Sequence, residues 1–462
     1  MNDAAPQRAP RAGWPEPLCV APIGRAAGEL RLPGSKSMSN RALLLAALAE
    51  GATRLDGLLD ADDTRVMIGA LRTLGIALDV DAGALRVQGC AGRFAVRQAE
   101  LHLGNAGTAM RPLAAALAFT GGRYVLDGVP RMRERPIGDL VDALNAAGAR
   151  VGYLGRSGYP PVLIEPPRPD APAPTRVGVR GDVSSQFLSG FLMAAPTFAG
   201  PGGLRIDIEG ELISRPYVAM TVAMMRDFGA QVRPSGPGYV VEPGRYRAPG
   251  AYAIEGDASA ASYFLALGAL AGGPVRVRGL GRASLQGDLA FTEVLARMGA
   301  VVAMGDDWVE VRAAAAPAAA AGRRLPLRPI DFDATAIPDA AMTAAVLALF
   351  ADGTTRLRGI GSWRVKETDR IQAMATELAK LGAQVQTGAD WIAITPPARL
   401  REAVVETYDD HRMAMCLALA ACGGVAVQVL DPGCVAKTFP GYFDELERLC
   451  APGRDAAAPA PA

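Results

Sequence analysis

One pattern recurs in five stretches of the chain: ALRTLGIAL (70–78), DALNAAGARV (142–151), MMRDFGAQV (224–232), VLARMGAVV (294–302) and ELAKLGAQV (377–385). In each stretch an amphipathic helix is predicted to end at a glycine in the C′ position, and a short strand is predicted to follow it. The glycines are Gly75, Gly148, Gly229, Gly299 and Gly382. Their spacing of roughly 70–85 residues exceeds most solenoid repeats and indicates pseudo-symmetry.

The segments between these helices indicate the fold class. A sixth helix, FDELERLC from Phe443, lacks the glycine, and β-rich segments such as LRIDIEG (204–210) and GTTRLRGI (353–360) lie between the helices. Alternating helix and strand signals predict an α/β fold. The chain has 462 residues, half of them hydrophobic, which is more than one domain usually holds, so two domains are expected.

The composition argues against several classes of protein. The formal net charge of +1 gives no basic field for nucleic acid. No apolar run reaches the roughly 18 residues needed to span a membrane, and the first residues lack the apolar core of a signal peptide, which predicts a cytoplasmic protein. The six Cys form no CxxC pair and do not cluster with His, so neither a metal site nor disulfides are expected.

Three segments are expected to lie outside the packed domains. The two ends, Met1–Gly13 and Ala451–Ala462, are predicted to be disordered. Ala313–Gly322 is almost all Ala with one Pro, and we interpret it as a surface insertion.

Lysine is scarce and its positions are informative. Only four of the 48 basic residues are Lys. Three of these Lys and one of the two His lie in polar turns that start helices: Lys36, Lys366, Lys437 and His411. Lys380 is different because it lies in the last turn of a helix, where a cation suits the helix dipole. We interpret the other histidine, His102, as structural.

In the first half, several polar turns precede apolar helices and could bind anions. They are LPGSKSMSNR (32–41), LGNAGTAMRPL (103–113), RMRERPIG (131–138), DVSSQF (182–187) and SRPY (214–217). Helix N-termini attract anions through free N–H groups and the helix dipole. The first turn lacks the second glycine of a Walker A loop. In the second turn Gly107 could let the backbone approach a ligand, and Thr108 is a plausible N-cap.

The turns of the second half carry more charge. They are IPDAAM (337–342), before an apolar helix at 340–350, WRVKETDR (363–370), YDDHRMAM (408–415) and AKTFP (436–440). Ordinary capping or a solvated charge run would explain any one of these turns. Together, the turns of both halves predict a site that binds anions.

These segments closely resemble the 5-enolpyruvylshikimate-3-phosphate synthase family. The resemblance rests on LPGSKSMSNRALLLAALA, LGNAGTAMRPL, RMRERPIGDLVDAL, DVSSQFLSG, IPDAAMTAA, WRVKETDRI, YDDHRMAMC and AKTFPGYF, and it runs from about Leu30 to Glu447. A sister family transfers enolpyruvyl to UDP-N-acetylglucosamine and resembles this one in fold. That family uses a loop cysteine, and no Cys lies in the comparable turns here.

The resemblance implies an inside-out α/β barrel fold of the enolpyruvyl transferase type. Two pseudo-symmetric domains would each contain three βαβαββ units. The first domain would be discontinuous, with residues 1–34 and 256–462, and the second would comprise residues 35–255. The two crossovers would form a hinge, and the active site would lie in the cleft between the domains.

The resemblance also implies the reaction. The 5-hydroxyl of shikimate 3-phosphate would attack C2 of phosphoenolpyruvate, and the tetrahedral intermediate would lose phosphate, as in the shikimate pathway to aromatic amino acids. No metal or organic cofactor is implied, and we expect a monomer. The family is the target of the herbicide glyphosate, which competes for the phosphoenolpyruvate pocket, and GNAGTAMRP resembles the sensitive type.

Three sets of residues follow from the resemblance. Shikimate 3-phosphate would contact Lys36, Ser37, Arg41, Ser184, Ser185, Gln186, Ser214, Tyr217, Asp339, Ser362 and Lys366. Phosphoenolpyruvate would contact Lys36, Asn105, Gly107, Arg135, Gln186, Arg370, Arg412 and Lys437. The catalytic set would be Asp339, Glu367, Lys36 and His411. Asp339 would take the hydroxyl proton, Glu367 would protonate the methylene carbon, and His411 would belong to the same proton network.

One position departs from the family, and two alternatives remain open. The family usually has Asn where this chain has Ser362, so one shikimate contact could be lost or bridged by water. The chain could be a non-catalytic binder of anionic metabolites on the same scaffold, although a pure binder needs no Asp339 or Glu367. Alternatively, the acceptor could be a nucleotide sugar.

Overall fold

The fold is seen in a computed structural model that describes residues 13–81, 83–168, 172–314 and 327–450. Apart from Gly13, Ala313 and Ala314, the two predicted disordered ends and the predicted surface insertion lie outside the described residues. Within the described ranges, no helix is both long enough and apolar enough to cross a membrane.

Twelve α-helices are found in the described residues. They are α1 (Lys36–Leu48), α2 (Asp62–Thr73), α3 (Gly107–Leu117), α4 (Gly138–Ala146), α5 (Ser185–Ala194), α6 (Arg215–Asp227), α7 (Ala258–Leu270), α8 (Phe291–Arg297), α9 (Ala341–Leu347), α10 (Arg370–Lys380), α11 (His411–Leu417) and α12 (Tyr442–Cys450). The apolar helix predicted at 340–350 is α9 followed by one 3₁₀ turn, Ala348–Phe350.

The strands of the described residues are short. They are β1 (Leu18–Val20), β2 (Ala26–Arg31), β3 (Ala52–Asp56), β4 (Leu78–Asp81), β5 (Ala84–Gln88), β6 (Gln98–His102), β7 (Arg123–Asp127), β8 (Arg150–Tyr153), β9 (Val162–Glu165), β10 (Arg176–Arg180), β11 (Leu204–Glu209), β12 (Val232–Ser235), β13 (Gly238–Val241), β14 (Ala251–Ala253), β15 (Gly272–Arg278), β16 (Val301–Met304), β17 (Trp308–Arg312), β18 (Asp331–Asp333), β19 (Thr355–Arg358), β20 (Gln384–Thr387), β21 (Trp391–Thr395), β22 (Ala403–Val405) and β23 (Val427–Val429).

The strands pair as repeated βαβαββ units. In the unit from β10 to β13, the first strand pairs in parallel with β11 across α5, and the hairpin after α6 completes the order β10-β11-β13-β12. The same order recurs in β6-β7-β9-β8 and in β18-β19-β21-β20. The predicted fold class is therefore confirmed. One unit departs from it, because β1 rather than a hairpin completes the sheet β1-β23-β22.

Two units exchange strands at the places where the chain crosses between domains. β2 pairs in parallel with β15 of the first domain, and β14 pairs in parallel with β3 of the second. Gly34 and Gly256 lie in the two crossovers and form a β-bridge with each other. A Cβ on Gly34 would lie 2.0 Å from the carbonyl oxygen of Gly57, so only glycine fits this close approach.

The hydrophobic core is divided in the same way. One core is formed by residues between Leu18 and Leu32 and between Ala258 and Leu449, and the other by residues between Met38 and Ile254. The domain boundaries at Ser35 and Gly256 stay a prediction, which this division supports.

The two helices of each unit differ in burial. The five helices of the glycine pattern are α2, α4, α6, α8 and α10, and each has one exposed face. Their C′ glycines have φ between +84° and +102°, so the predicted C-terminal glycines are confirmed. Six other helices, α1, α3, α5, α7, α9 and α11, are buried on nearly all sides, and α7 is buried along its whole length. The N-terminal ends of helices of both kinds position the candidate site.

Candidate active site

A small cavity lies where helices of one domain face turns of the other. The N-terminal ends of α1, α3, α5 and α6 meet the turns before α9 and α10. The cavity has a volume of ≈ 60 Å³. The predicted site residues that line it are Lys36, Ser37, Arg41, Gly107, Arg135, Ser184, Ser185, Gln186, Ser214, Tyr217, Asp339, Ser362, Lys366 and Glu367. Five cations and three carboxylates line this space, so it suits anions.

Arg41 provides a buried positive charge beside the hydroxyl groups of the second domain. Its guanidinium donates hydrogen bonds to Thr221 Oγ1 at 2.7 Å, to the Ser37 carbonyl at 2.9 Å and to Ser189 Oγ at 3.4 Å. Burial lowers the pKa of Arg41 to about 10, so the group stays charged at neutral pH. Because its acceptors are neutral, this charge is available to an anion held by the nearby Ser hydroxyls.

A second pair of cations flanks the start of α3. Arg135 is buried and donates from Nη1 to both the backbone oxygen and the side-chain oxygen of Asn105, each at 2.8 Å. Arg111 is 4% exposed, and its Nη2 donates to the Pro136 carbonyl at 2.9 Å. Burial, with the neighbouring Arg135, lowers the pKa of Arg111 well below its usual range. Two adjacent buried guanidinium groups favour an anion between them.

Asp339 is held as a carboxylate by three cations. It accepts hydrogen bonds from Arg370 Nη1 and Arg412 Nη2, both at 2.9 Å, and from Lys366 Nζ at 3.4 Å. Burial alone would raise the pKa of Asp339, but Arg412, Lys366, Arg370 and Lys36 outweigh it and hold that pKa well below the usual range. An ionised carboxylate that lines the cavity can accept a proton.

Glu367 is the second carboxylate of the site and has a similar environment. It is 7% exposed and accepts a hydrogen bond from Arg370 Nη2 at 2.9 Å. Burial would raise the pKa of Glu367, but Arg370, Arg135 and Lys437 lead the charges that hold it well below its usual range. Among these cations, Glu367 is therefore ionised.

Two scarce lysines converge on one buried carboxylate. Lys36 Nζ lies 3.5 Å from Asp63 Oδ2, and Lys437 Nζ lies 3.3 Å from Asp63 Oδ1. Lys437 also donates to the Asn105 carbonyl at 3.0 Å, a contact between residues 332 positions apart. Asp63 thus holds a lysine of each domain at the edge of the cavity.

His411 is buried as a neutral ring. Burial, with Lys36 and Arg412 nearby, lowers its pKa well below the usual range. Its Nδ1 lies 3.6 Å from Asp410 Oδ1, too far for a hydrogen bond, and neither ring nitrogen has a hydrogen-bond partner among the described residues. The place of His411 in a proton network stays a prediction.

Comparison with protein families decides the assignment. The family model described as EPSP synthase (3-phosphoshikimate 1-carboxyvinyltransferase) matches residues 20–446. The chain belongs to the EPSP synthase family. The resemblance read from the motifs is therefore confirmed, and it extends over all the turns that surround the cavity.

Individual relatives and solved structures agree with membership of the EPSP synthase family. A 3-phosphoshikimate 1-carboxyvinyltransferase of Bordetella petrii is 60% identical over 93% of this chain and 96% of its own length. The enzyme of that name from Paraburkholderia phytofirmans is 56% identical, with coverage of 94% and 99%. An EPSP synthase structure from Acinetobacter baumannii has a TM-score of 0.74 at 25% identity, covering 93% of this chain and 97% of that one. The enolpyruvyl transferase NikO from Streptomyces tendae, at 21% identity and TM-score 0.73 over 94% and 97% of the two chains, supports the fold alone.

Five predicted site residues of this EPSP synthase family member do not line this cavity. They are Asn105, Arg370, His411, Arg412 and Lys437. Four of them, Asn105, Arg370, Arg412 and Lys437, contact residues that do line it. Arg370 is the most engaged, since it also donates to both oxygens of Asp410, at 2.7 and 3.2 Å. An anionic substrate would compete with these carboxylates for Arg370.

Sequence reasoning missed three residues of the site. Arg111 stands in the quoted LGNAGTAMRPL, one helical turn after Gly107, which could have singled it out. Asp63 is the second residue of an Asp-Asp pair at the start of α2. Asp257 is the N-cap of α7, and its Oδ2 accepts a hydrogen bond from the Lys36 backbone N–H at 3.0 Å. Asp257 directly precedes a long apolar helix, as several other site residues at helix starts do.

One local prediction is wrong. Thr108 is not the N-cap of α3, because that helix begins at Gly107 with Ala106 in the cap position. The hydroxyl of Thr108 instead accepts a hydrogen bond from Asn40 Nδ2 at 2.6 Å. The bond joins α3 to α1, and this tertiary contact replaces the local cap.

Proposed function

We propose that the chain transfers the carboxyvinyl group of phosphoenolpyruvate to the 5-hydroxyl of shikimate 3-phosphate and releases phosphate. The observation that carries the proposal is the pair of ionised carboxylates, Asp339 and Glu367, set among cations between two anion subsites. Membership of the family supports the same reaction. A non-catalytic binder would need the cations but would have no use for these carboxylates.

The two subsites fit the two substrates. The subsite beside Arg41, with Ser37, Ser184 and Ser185, would hold the phosphate of shikimate 3-phosphate through its hydroxyls and one buried charge. Gln186, Ser214 and Tyr217 would line the ring. The subsite of Gly107, Arg111 and Arg135 would hold phosphoenolpyruvate, with Arg370, Arg412 and Lys437 released from their carboxylate and carbonyl partners. Fixed donors in a dry site stabilise developing charge without reorganisation.

The first half of the reaction adds the two substrates. The 5-hydroxyl oxygen bonds to C2 of phosphoenolpyruvate, its proton passes to Asp339, and Glu367 delivers a proton to C3. Glu367 must bind that proton first. The phosphate and carboxylate of the substrate would partly neutralise Arg370, Arg135 and Lys437, and would so weaken the charges that lower the pKa of Glu367. Substrate binding itself would prepare the acid.

The second half breaks the intermediate. The bond from C2 to the phosphate oxygen breaks and phosphate leaves. Glu367 takes a proton back from C3, which restores the double bond, and the proton held by Asp339 leaves with the phosphate. Lys36, held against Asp63 at 3.5 Å, would stabilise the leaving group, and Lys366 would hold the shikimate ring while keeping Asp339 ionised. Closure of the domains excludes water, which would otherwise compete with the 5-hydroxyl.

The proposal also covers location and assembly. Every residue assigned to the site comes from one chain, so a monomer would hold a complete site, and the sequence predicts a cytoplasmic protein. Light scattering of the purified chain tests the monomer, since a stable dimer mass would contradict it.

An acceptor comparison tests the function. Phosphate release from phosphoenolpyruvate is measured with shikimate 3-phosphate, with shikimate and with UDP-N-acetylglucosamine. We expect release only with shikimate 3-phosphate. Release with the nucleotide sugar would support the alternative acceptor, and tight binding of the substrates without any release would support a binder.

A further inference from the structure

Arg131 lies outside the assigned residues, yet it joins the two domains at the catalytic turn. It belongs to the 3₁₀ helix Pro130–Glu134 of the second domain. Its Nε donates to the Glu367 carbonyl at 3.0 Å and to the Lys366 carbonyl at 3.3 Å, and its Nη2 donates to the Lys366 carbonyl at 3.0 Å. One guanidinium thus binds two consecutive carbonyls 235 and 236 positions further along the chain.

The two carbonyls need this partner. Lys366 and Glu367 lie between the 3₁₀ helix Gly361–Val365 and the N-cap of α10, Asp369. Within the described part of the chain, no backbone N–H donates to either carbonyl oxygen. Unpaired carbonyls at a half-buried turn are costly, so a charged donor that binds both fixes the orientation of the turn.

The guanidinium itself is oriented from the opposite side. Arg131 Nη1 donates to Glu134 Oε2 at 2.8 Å, within the same 3₁₀ helix. The planar guanidinium is therefore held in its own domain through Nη1, and it binds the other domain through Nε and Nη2. Lys could not reproduce this geometry, because its ammonium is a single point charge without a fixed fork.

We infer that Arg131 is a positioning residue that places the Glu367 carboxylate for proton transfer only when the two domains have closed. Opening of the cleft would break both contacts, since the donor and the acceptors belong to different domains. The side chain of Glu367 is held by Arg370, and its backbone by Arg131. The acid would reach its working position only around bound substrates. This inference rests on the proposed function and deepens it.

The same segment offers a matched control. Arg133 is two residues away, is 53% exposed, and donates from Nε and Nη2 to Asp127 of its own domain at 2.9 and 2.5 Å. Arg131→Ala and Arg133→Ala therefore remove the same side chain from the same 3₁₀ helix. Only the first breaks a contact between domains.

The experiment measures phosphate release with shikimate 3-phosphate, the affinity for that substrate by calorimetry, and the thermal midpoint for each variant. For Arg131→Ala we expect kcat to fall about ten- to a hundredfold, as for a lost charged hydrogen bond. Shikimate 3-phosphate affinity should change less than about threefold, and Arg133→Ala should keep kcat within the same margin. Arg131→Lys, which keeps the charge, should lose nearly as much turnover as Arg131→Ala, and it serves if the alanine variant does not fold.

Three results would overturn the inference. Equal kcat in the Arg131 and Arg133 variants would show that the contact positions nothing. A loss of substrate affinity that matches the loss of kcat would assign Arg131 to binding. Full activity of Arg131→Lys would show that charge alone is needed. If the unsubstituted chain released no phosphate, the proposed function would fail and the inference with it, whereas these three results leave the function intact.

Discussion

Gly107 is the residue of the proposed phosphoenolpyruvate subsite at which adding a single carbon atom should have a clear effect. A Cβ built on Gly107 would lie 2.4 Å from Arg111 Nη1, 2.7 Å from Arg135 Nη2 and 3.2 Å from Arg135 Cζ. Ordinary contact begins at 3.4 Å, so Arg111 would have to retreat by about 1 Å and Arg135 by about 0.7 Å. The backbone of Gly107 is helical and accepts alanine, so the whole effect falls on the two guanidinium groups.

The retreat has a calculable cost. Arg135 is held by two 2.8 Å hydrogen bonds to Asn105, and Arg111 by one of 2.9 Å to the Pro136 carbonyl. A shift of that size stretches such bonds beyond their useful range. Overpacking costs on the order of 1–3 kcal/mol, which corresponds to roughly a ten- to hundredfold change in affinity. We therefore expect Gly107→Ala to raise KM for phosphoenolpyruvate by about that factor.

The assay pairs Michaelis curves for phosphoenolpyruvate with inhibition curves for glyphosate. We expect the unsubstituted chain to be inhibited and Gly107→Ala to lose more affinity for the longer inhibitor than for the substrate. Gly69→Ala is the control, since Gly69 lies exposed in α2 with no atom within 4 Å of its Cβ. That change should leave both constants unaltered and stabilise the helix by about 0.5–1 kcal/mol. Equal inhibitor sensitivity before and after Gly107→Ala would refute the reasoning and leave Gly107 as a turn residue.

Three further changes test other parts of the site. Asp339→Asn and Glu367→Gln should each lower kcat by about 10²–10⁴-fold, measured by turnover, while substrate affinity, measured by calorimetry, should change less. If substrate binding were lost while the bound complex still turned over, both residues would be reassigned as structural. Lys36→Arg should lose most activity, because the larger planar group would overfill a site in which Lys36 is only 7% exposed. Lys380→Arg, on the last turn of α10, is the control and should keep normal activity. Near-normal turnover of Lys36→Arg would contradict the assignment. The cavity of ≈ 60 Å³ is far smaller than the roughly 300–1,000 Å³ of small-molecule sites, so we expect the domains to open to admit substrates. Small-angle scattering should then show compaction when shikimate 3-phosphate and a phosphoenolpyruvate analogue are added. Unchanged scattering profiles would contradict this domain closure.

The local features of this fold could be predicted because they have local signatures. Gly75 and the four equivalent glycines end amphipathic helices. The helical period of the preceding residues, followed by a glycine, was enough to predict each helix end and the positive φ of that glycine. The polar turns before α1, α3 and α5 were found for the same reason. The proposed catalytic roles of Asp339 and Glu367 required the resemblance, because a carboxylate before a helix is otherwise an ordinary cap.

Features that depend on distant partners could not be predicted. Nothing near Arg131 indicates that it binds carbonyls more than 200 positions away, and nothing near β1 indicates that it completes the last sheet. The proposed role of Arg111 depends on its lack of a carboxylate hydrogen-bond partner among the described residues, which only the tertiary packing determines. The hydroxyl of Thr108 accepts a hydrogen bond from Asn40 instead of capping α3, so tertiary packing overrides the local preference for a cap.

The central claim is that this chain joins the two substrates rather than hydrolysing or merely binding them. Phosphorus NMR of the purified chain with shikimate 3-phosphate and phosphoenolpyruvate follows all the phosphates in one sample. We predict one free phosphate for each shikimate 3-phosphate consumed, together with a new signal from its enolpyruvyl ether and no phosphate without the acceptor. Phosphate that appears while shikimate 3-phosphate remains unchanged, or no reaction at all, would contradict the account.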